Sequence, residues 1–399
     1  MKHAQNKIVK IAKQWIVSTL CFIIRHTAKV NHKLIVLHSS PDFSDNAKAL
    51  YDYMIANGYD KDFDIYFAVE HLSRCESLWG DKARFIQFYD KHFHFDWAAL
   101  RKIMTAGHLI YTHSAPFPLT HCKGLKEQIQ VNLWHGCGYK EKTTDVSNKP
   151  PLFDRVLVPG NLHIVPKAAF WNVRTDQIIA KGYPRYDWML NPSDAASEMK
   201  QKYASDGKKC VMWMPTFRSD KNGVLNQTAS IKQFPLIATP QQWQHIDELC
   251  GQLGITLLVK LHQIQRDYGI DFDTMANIER IGNDDFDKNG VNLYEFLAMT
   301  DGLITDYSSV AFDYLIVDKP IGFALEDYET YKSMRGFIFD DPLQYMPGHH
   351  MYCLEDLECF LRDVASGSDP YKADRDRVKA EAIHPSTHYC KDIAQVIFS

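Results

Sequence analysis

Short apolar runs alternate with helically spaced apolar positions along most of the chain. In the first half, runs at residues 34–38, 63–69, 84–88, 109–112, 129–134 and 155–158 read as strands. Helical spacing fills the gaps from a Ser44 or Asp45 cap to near Gly58, at 97–105 and at 164–171. A polar connector, 191–209, then separates off a second series. Its strands are expected at 210–214, 256–261, 278–281, 302–304 and 321–325, and its helices at 240–251 and 292–299. Helices at 354–364, 372–383 and 392–398 close the chain. Strands alternating with helices predict parallel sheets covered on both faces. The expected architecture is therefore α/β, two Rossmann-like halves facing a cleft, with ligands beyond the carboxyl ends of the strands.

One stretch of the second half combines pattern and chemistry. The strand ending at Ile304 stops at Thr305, Asp306, Tyr307, Ser308 and Ser309. Helical spacing resumes through Val310, Ala311, Tyr314, Leu315 and Val317, and Pro320 ends it before the next strand. A helix N-terminus with two hydroxyls suits a phosphate group, and equally suits simple N-capping.

Composition narrows the class. The 399 residues are 45% hydrophobic and 24% charged, enough for a full core and two or three domains. The net charge of −4 hides an asymmetry, because residues 1–33 carry seven Lys or Arg and no acid. The remainder is acidic, which argues against nucleic acid as a partner. The nine cysteines show no C-x-x-C pairing and fit a reduced protein. In the N-terminal segment Ile8, Ile11, Ala12, Trp15, Thr19 and Phe22 share a face, and the uncharged run 14–24 is too short to span a bilayer. A basic amphipathic helix on an anionic membrane surface is expected, with packing on the protein's own core as the alternative. The domain limits that follow are 1–33, 34–190, 208–375 and a closing segment 376–399 that packs back.

The expected strand ends deliver a coherent set of side chains. They bring His135 and Gly136 with Cys137, Gly138 and Lys140; Pro215 to Arg218; Lys260 and His262; and Thr305 to Ser309. Phosphoryl transfer needs such a set: a base for an attacking hydroxyl, with cations and N–H donors for phosphate oxygens. The D-x-D triplets 271–273 and 285–287 are weak metal signals. Neither a P-loop nor a G-x-G-x-x-G fingerprint is present.

These segments resemble the CDP-glycerol glycerophosphotransferases of teichoic acid and capsule synthesis. The family's W-H-G-T-P-x-K-K-x-x-x-D segment reads Trp134-His135-Gly136-Cys137-Gly138-Tyr139-Lys140-Glu141, with Asp145 in register. G-x-P-R-N-D appears as Gly182-Tyr183-Pro184-Arg185-Tyr186-Asp187, P-T-[FW]-R at 215–218, and K-x-H-P as Lys260-Leu261-His262-Gln263. D-Y-S-S-x-x-F-D is intact from Asp306 to Asp313, and R-G-F-x-F-D from Arg335 to Asp340. Cys137-Gly138 in place of Thr-Pro, Glu141 for Lys, Tyr186 for Asn and Gln263 for Pro are departures that leave acceptor and donor open.

The resemblance implies a fold of the GT-B type. It also implies transfer of glycerol phosphate from CDP-glycerol to a lipid-linked saccharide or growing polymer, with release of CMP at the cytoplasmic face of a membrane. His135, His262 and Asp145 are the expected catalytic residues. Arg218, Lys260, Thr305, Asp306, Ser308, Ser309 and Asp313 are expected at the donor phosphates, with Gly136, Lys140, Arg185, Asp327 and Arg335 elsewhere in the cleft. No cofactor and no resident metal is expected, with a modest magnesium effect at most. A ribitol-phosphate donor, a nucleotide-sugar glycosyltransferase of the same fold and a non-catalytic scaffold are the alternatives.

Overall fold

The computed structural model describes residues 2–88, 96–116, 124–140, 153–205, 207–216, 234–261 and 270–399, with side chains from residue 15 onward. Two parallel sheets organise it. The first holds β1 (Asn31–His38), β2 (Asp64–Ala68), β3 (Phe85–Ile86), β4 (Ala106–Tyr111), β5 (Ile129–Asn132), β6 (Arg155–Val158) and β7 (Ile178–Ala180), in the order β3-β2-β1-β4-β5-β6-β7. The second holds β8 (Lys209–Trp213), β9 (Ile255–Val259), β10 (Ile278–Arg280), β11 (Gly302–Thr305), β12 (Ile321–Ala324) and β13 (His349–Met351), in the order β10-β9-β8-β11-β12-β13. Strand order reverses between β1 and β4 and between β8 and β11, where loops diverge and leave a crevice. Helices cover both faces, so consecutive residues are buried along the central strands, and all five residues of β9 are buried.

Local chemistry sets the helix boundaries. Asp96 accepts from Ala98 and Ala99 N–H at 2.8 and 3.1 Å and so starts helix Trp97–Thr105. Thr239 caps helix Pro240–Leu253, Pro240 occupies its first turn, and Gly254 ends it at φ +65°. The sequence pattern missed β7 and β13, each three residues long. The polar connector contains a helix, Asp194–Tyr203, which packs against Leu293–Met299. The helix after Ser309 is shorter than its apolar spacing predicts, Val310–Tyr314, and gives way to a turn ending at Asp318, φ +56°.

The first helix, Lys2–Thr27, divides its apolar residues between two surfaces. Val17 and Cys21 are buried in a cluster with Leu34, Val36, Leu100, Ile103 and Leu109, so the helix docks on the protein's own core. Trp15, Ile16, Phe22 and Ile23 remain 71%, 53%, 63% and 49% exposed. Among the described residues no helix is long and apolar enough to cross a membrane.

The two halves share one core, in which Leu133, Tyr139, Tyr183 and Tyr186 cluster with Tyr307, Phe312, Phe323 and Phe339. The closing helix Tyr389–Phe398 returns to helix Asp45–Ala56, and Asp187 accepts from the Tyr389 and Cys390 N–H groups at 2.7 and 2.9 Å. At the centre of the join sits Arg185, fully buried. Its guanidinium donates to Asp45 of the first half and to Asp313 of the second, both at 2.7 Å. Tyr186 donates to the other Asp313 oxygen at 3.0 Å, and the Tyr294 ring lies 4.3 Å from the guanidinium. Burial opposes the charge of Arg185, but Asp313, Tyr294, Asp45 and Tyr186 outweigh it and hold the guanidinium well above its usual pKa.

Removing a buried cation leaves its carboxylates uncompensated. Arg185→Ala should therefore lower stability by about 3–5 kcal/mol in urea unfolding at neutral pH. A loss below about 1 kcal/mol, the range of an exposed pair, would show that the join does not depend on this residue.

Candidate active site

Three histidines stand at the carboxyl ends of neighbouring strands in the first sheet: His38 ending β1, His113 after β4 and His135 after β5. Buried Asn132 shapes the last two turns. Its side chain accepts from Trp134 N–H at 2.8 Å and donates to the His113 carbonyl at 3.3 Å. Trp134 is held at φ +54°, and its indole N–H donates to the Gly136 carbonyl at 2.8 Å. Asn46 holds the same turn from another side, donating to the Trp134 carbonyl at 2.8 Å and accepting from Arg185 N–H at 3.3 Å. Arg185 also donates to the His135 carbonyl at 3.1 Å. Asp45 and Phe43 lie at φ +54° and +46°, so left-handed non-glycine residues gather around this turn.

The His135 ring is half-buried, stacked on His113 with centroids 3.9 Å apart and 3° between planes, and tilted against Trp134 at 4.5 Å. Its Nδ1 is buried and meets no partner among the described residues. Burial lowers its pKa well below 6.5, and nearby His113, Arg185, Lys167 and Lys140 act in the same direction. The imidazole is therefore neutral at physiological pH, the form that accepts a proton. Lys167 is a further buried cation near this turn, with its ammonium 4.3 Å from the Phe170 ring.

The second half meets this turn directly. A Cβ on Gly136, at φ +139°, would lie 2.4 Å from Ser309 Oγ, and one on Gly138 would lie 2.9 Å from Ser309 N. His135–Gly138 and the Ser308–Ser309 turn are thus in contact across the crevice. Ser309 occupies the cap position of its helix without a cap bond, and the Val310 N–H donates to Ser308 Oγ at 3.5 Å. Lys140 pairs with Phe337 in a β-bridge, and Ile338 N–H donates to the Tyr139 carbonyl at 2.8 Å, which brings the 335–340 segment beside the histidine turn. Arg335 Nη1 is buried with no partner among the described residues. Lys260, half-buried after β9, has its pKa lowered by burial.

Several residues expected at the phosphates are bonded to protein groups. Thr305 donates its hydroxyl to the Met214 carbonyl at 2.9 Å. Asp306, fully buried, accepts from the Thr216 N–H at 2.8 Å and from the Thr216 hydroxyl. These two side chains fasten the end of β11 to the segment after β8. Asp313 is committed to Arg185 and Tyr186, and Arg185 itself is sealed in the join rather than open to the cleft. Asp327 accepts from the Tyr307 hydroxyl at 2.9 Å. Asp145, Arg218 and His262 lie outside the described residues. His113, absent from the sequence reading, has no family motif around it, and its apposition to His135 arises only from strand pairing. Asp285 accepts from Gly282 N–H and Asp287 pairs with Arg74, at 2.8 Å each, so the second D-x-D triplet is divided between separate tasks. Among the described residues no cluster of three or more His, Cys, Asp or Glu side chains is arranged to hold a metal.

A family model described as CDP-glycerol:poly(glycerophosphate) glycerophosphotransferase matches residues 20–384. The chain belongs to this family. Its relatives include a teichoic acid ribitol-phosphate primase of Bacillus spizizenii, 27% identical over 68% of this chain and 69% of the relative. A teichoic acid glycerol-phosphate primase of the same organism is 31% identical over 47% of this chain and 44% of the relative. A solved structure of the wall teichoic acid polymerase TagF matches the fold over 100% of this chain and 95% of its own, with a TM-score of 0.75 and 19% identity. Another TagF structure, TM-score 0.73, was soaked with CDPG and covers the same shares at 20% identity. The chain is thus a transferase of the teichoic acid glycerol- and ribitol-phosphate family.

The contact between Gly136 and Ser309 yields a direct test. A methyl group at Gly136 must displace either the serine turn or the histidine turn, and the backbone there disfavours any side chain. Gly136→Ala should cut turnover on the order of 100-fold with the protein still folded by circular dichroism. Wild-type turnover in this variant would show that the close approach is not needed for activity.

Proposed function

We propose that this protein transfers glycerol phosphate from CDP-glycerol to a hydroxyl of a lipid-linked saccharide or growing teichoic acid or capsule polymer. The observation that carries the reading is a neutral, half-buried His135 on a turn in contact with the Ser308–Ser309 turn of the other half. The acceptor oxygen bonds to the β-phosphorus while the bond from that phosphorus to the bridging oxygen breaks. The hydroxyl proton passes to His135, and CMP leaves with the bridging oxygen. Lys260 and the Ser308–Ser309 turn face the phosphates, joined by Arg218 and His262 on the strength of the family resemblance. In this reading the halves form a GT-B pair, with the donor nucleotide on the second sheet and the acceptor approaching the first. No cofactor is required and magnesium has a modest effect, the charge being met by cations and N–H groups.

The test is incubation with CDP-glycerol, CDP-ribitol and a synthetic lipid-linked disaccharide, with products read by mass spectrometry. The expected products are CMP and an acceptor heavier by one glycerol phosphate. Transfer from CDP-ribitol alone would reassign the donor, and release of a nucleoside diphosphate would replace the reading with glycosyl transfer. His135→Ala should lower kcat by about 10²- to 10⁴-fold. Because the pKa of His135 is depressed, the base is lost only when pH falls through that lowered value, so the acid limb of kcat/KM should lie below pH 6.5.

The proposed acceptor places the protein on the cytoplasmic face of a membrane. Trp15, Ile16, Phe22 and Ile23 form an exposed apolar stripe, followed by exposed Arg25, Lys29 and Lys33. Rings and aliphatic chains enter the interfacial layer, while each cation near an anionic leaflet contributes about 1 kcal/mol. The protein should sediment with anionic vesicles, and less with neutral ones or in high salt. The double variant Trp15→Glu with Phe22→Glu should stay in the supernatant with an unchanged Tm, since both side chains are exposed. Undiminished sedimentation of that variant would remove this helix as the membrane contact.

A further inference from the structure

The geometry points to His113 as the positioning residue for His135: its imidazole fixes the plane of the base from one face and keeps that ring apart from water. This assignment rests on the proposed use of His135 as the general base. The two rings are parallel to within 3° at 3.9 Å, and the Trp134 ring packs against His135 at 4.5 Å. One buried amide, Asn132, holds both turns, accepting from Trp134 N–H and donating to the His113 carbonyl. His113 Nδ1 is bonded to the Thr112 hydroxyl at 3.2 Å, and Thr112 is itself buried with its N–H donating to the His38 carbonyl at 3.2 Å. The ring of His113 is therefore anchored at its backbone and at one nitrogen, and carries the orientation to His135 through the stack.

The stack also controls charge. Asp45, Arg185 and His38 act electrostatically on His113, while Arg185, Lys167 and Lys140 act with it on His135. Two imidazolium ions cannot share a 3.9 Å stack without strong repulsion, so the pair takes up one proton before the other ring can be charged. An aromatic ring without nitrogens keeps the platform and the exclusion of water, whereas a methyl group keeps neither.

Full-length wild type, His113→Ala and His113→Phe are compared in two measurements. The first is the NMR titration of the His135 ring, assigned by the signal lost in His135→Ala, which needs no substrate. The second is kcat and KM for CMP release from CDP-glycerol with the lipid-linked acceptor. The alanine variant should raise the pKa of His135 toward 6.5 and lower kcat about 10- to 100-fold with little change in KM. The phenylalanine variant should recover most of the rate. An unchanged His135 titration in the alanine variant overturns the proposal, and so does a loss confined to KM. A phenylalanine variant as slow as the alanine one overturns positioning in favour of direct chemistry by the His113 nitrogens. If wild type releases no CMP, the reading of the reaction fails, while the titration still decides whether His113 governs His135.

Discussion

A guanidinium sealed between two carboxylates is the constraint on which the rest of this structure depends. Arg185 cannot be buried without Asp45 and Asp313, and each carboxylate would be costly without it. One partner begins helix Asp45–Ala56 and the other lies in the short helix after the serine turn. Satisfying the charge therefore brings the carboxyl end of one sheet to the carboxyl end of the other. Such an ion pair adds little net stability over an apolar replacement, but a misplaced half would strand a buried charge, so alternative dockings are penalised.

The same residue reaches the chemistry through its remaining donors. Arg185 holds the His135 carbonyl, and its own N–H is read by Asn46, which also binds the Trp134 carbonyl. The turn carrying His135 is thereby fastened to the join between the halves. Glycine at 136 then lets the turn approach Ser309 at a separation that no side chain would allow. Desolvation does the electrostatic work at His135. Burial lowers its pKa, and His113, Arg185, Lys167 and Lys140 lower it further. A neutral imidazole thus sits beside the serine turn and two lysines, and the proposed attack on an anionic phosphate is consistent with that arrangement.

Helix Lys2–Thr27 shows how one element serves two surfaces. Val17 and Cys21 fix its docking, and this fixed attitude turns Trp15, Ile16, Phe22 and Ile23 outward together. The sequence posed membrane contact and core packing as alternatives, whereas a helix has room for a stripe of each kind on opposite faces.

By itself the sequence determined the α/β class, nearly every strand longer than three residues and the family, because alternation of apolar runs and motif spacing are local properties. It placed His135, Gly136 and the serine turn at strand ends for the same reason. It did not find β7 or β13, although it found β10 of the same length. Only the tertiary structure decided what each conserved-looking group touches. Asp313 reads as a phosphate contact and Arg185 as a cleft residue in linear motifs, and they emerge as a buried pair 128 positions apart. Thr305 and Asp306 read as phosphate ligands and emerge as ties to Met214 and Thr216. His113 carried no signal at all until β4 and β5 paired in register and set its ring against His135. Partners of that kind are chosen by strand order and helix docking, and the free energy that selects them belongs to burial across the whole chain rather than to any stretch of it.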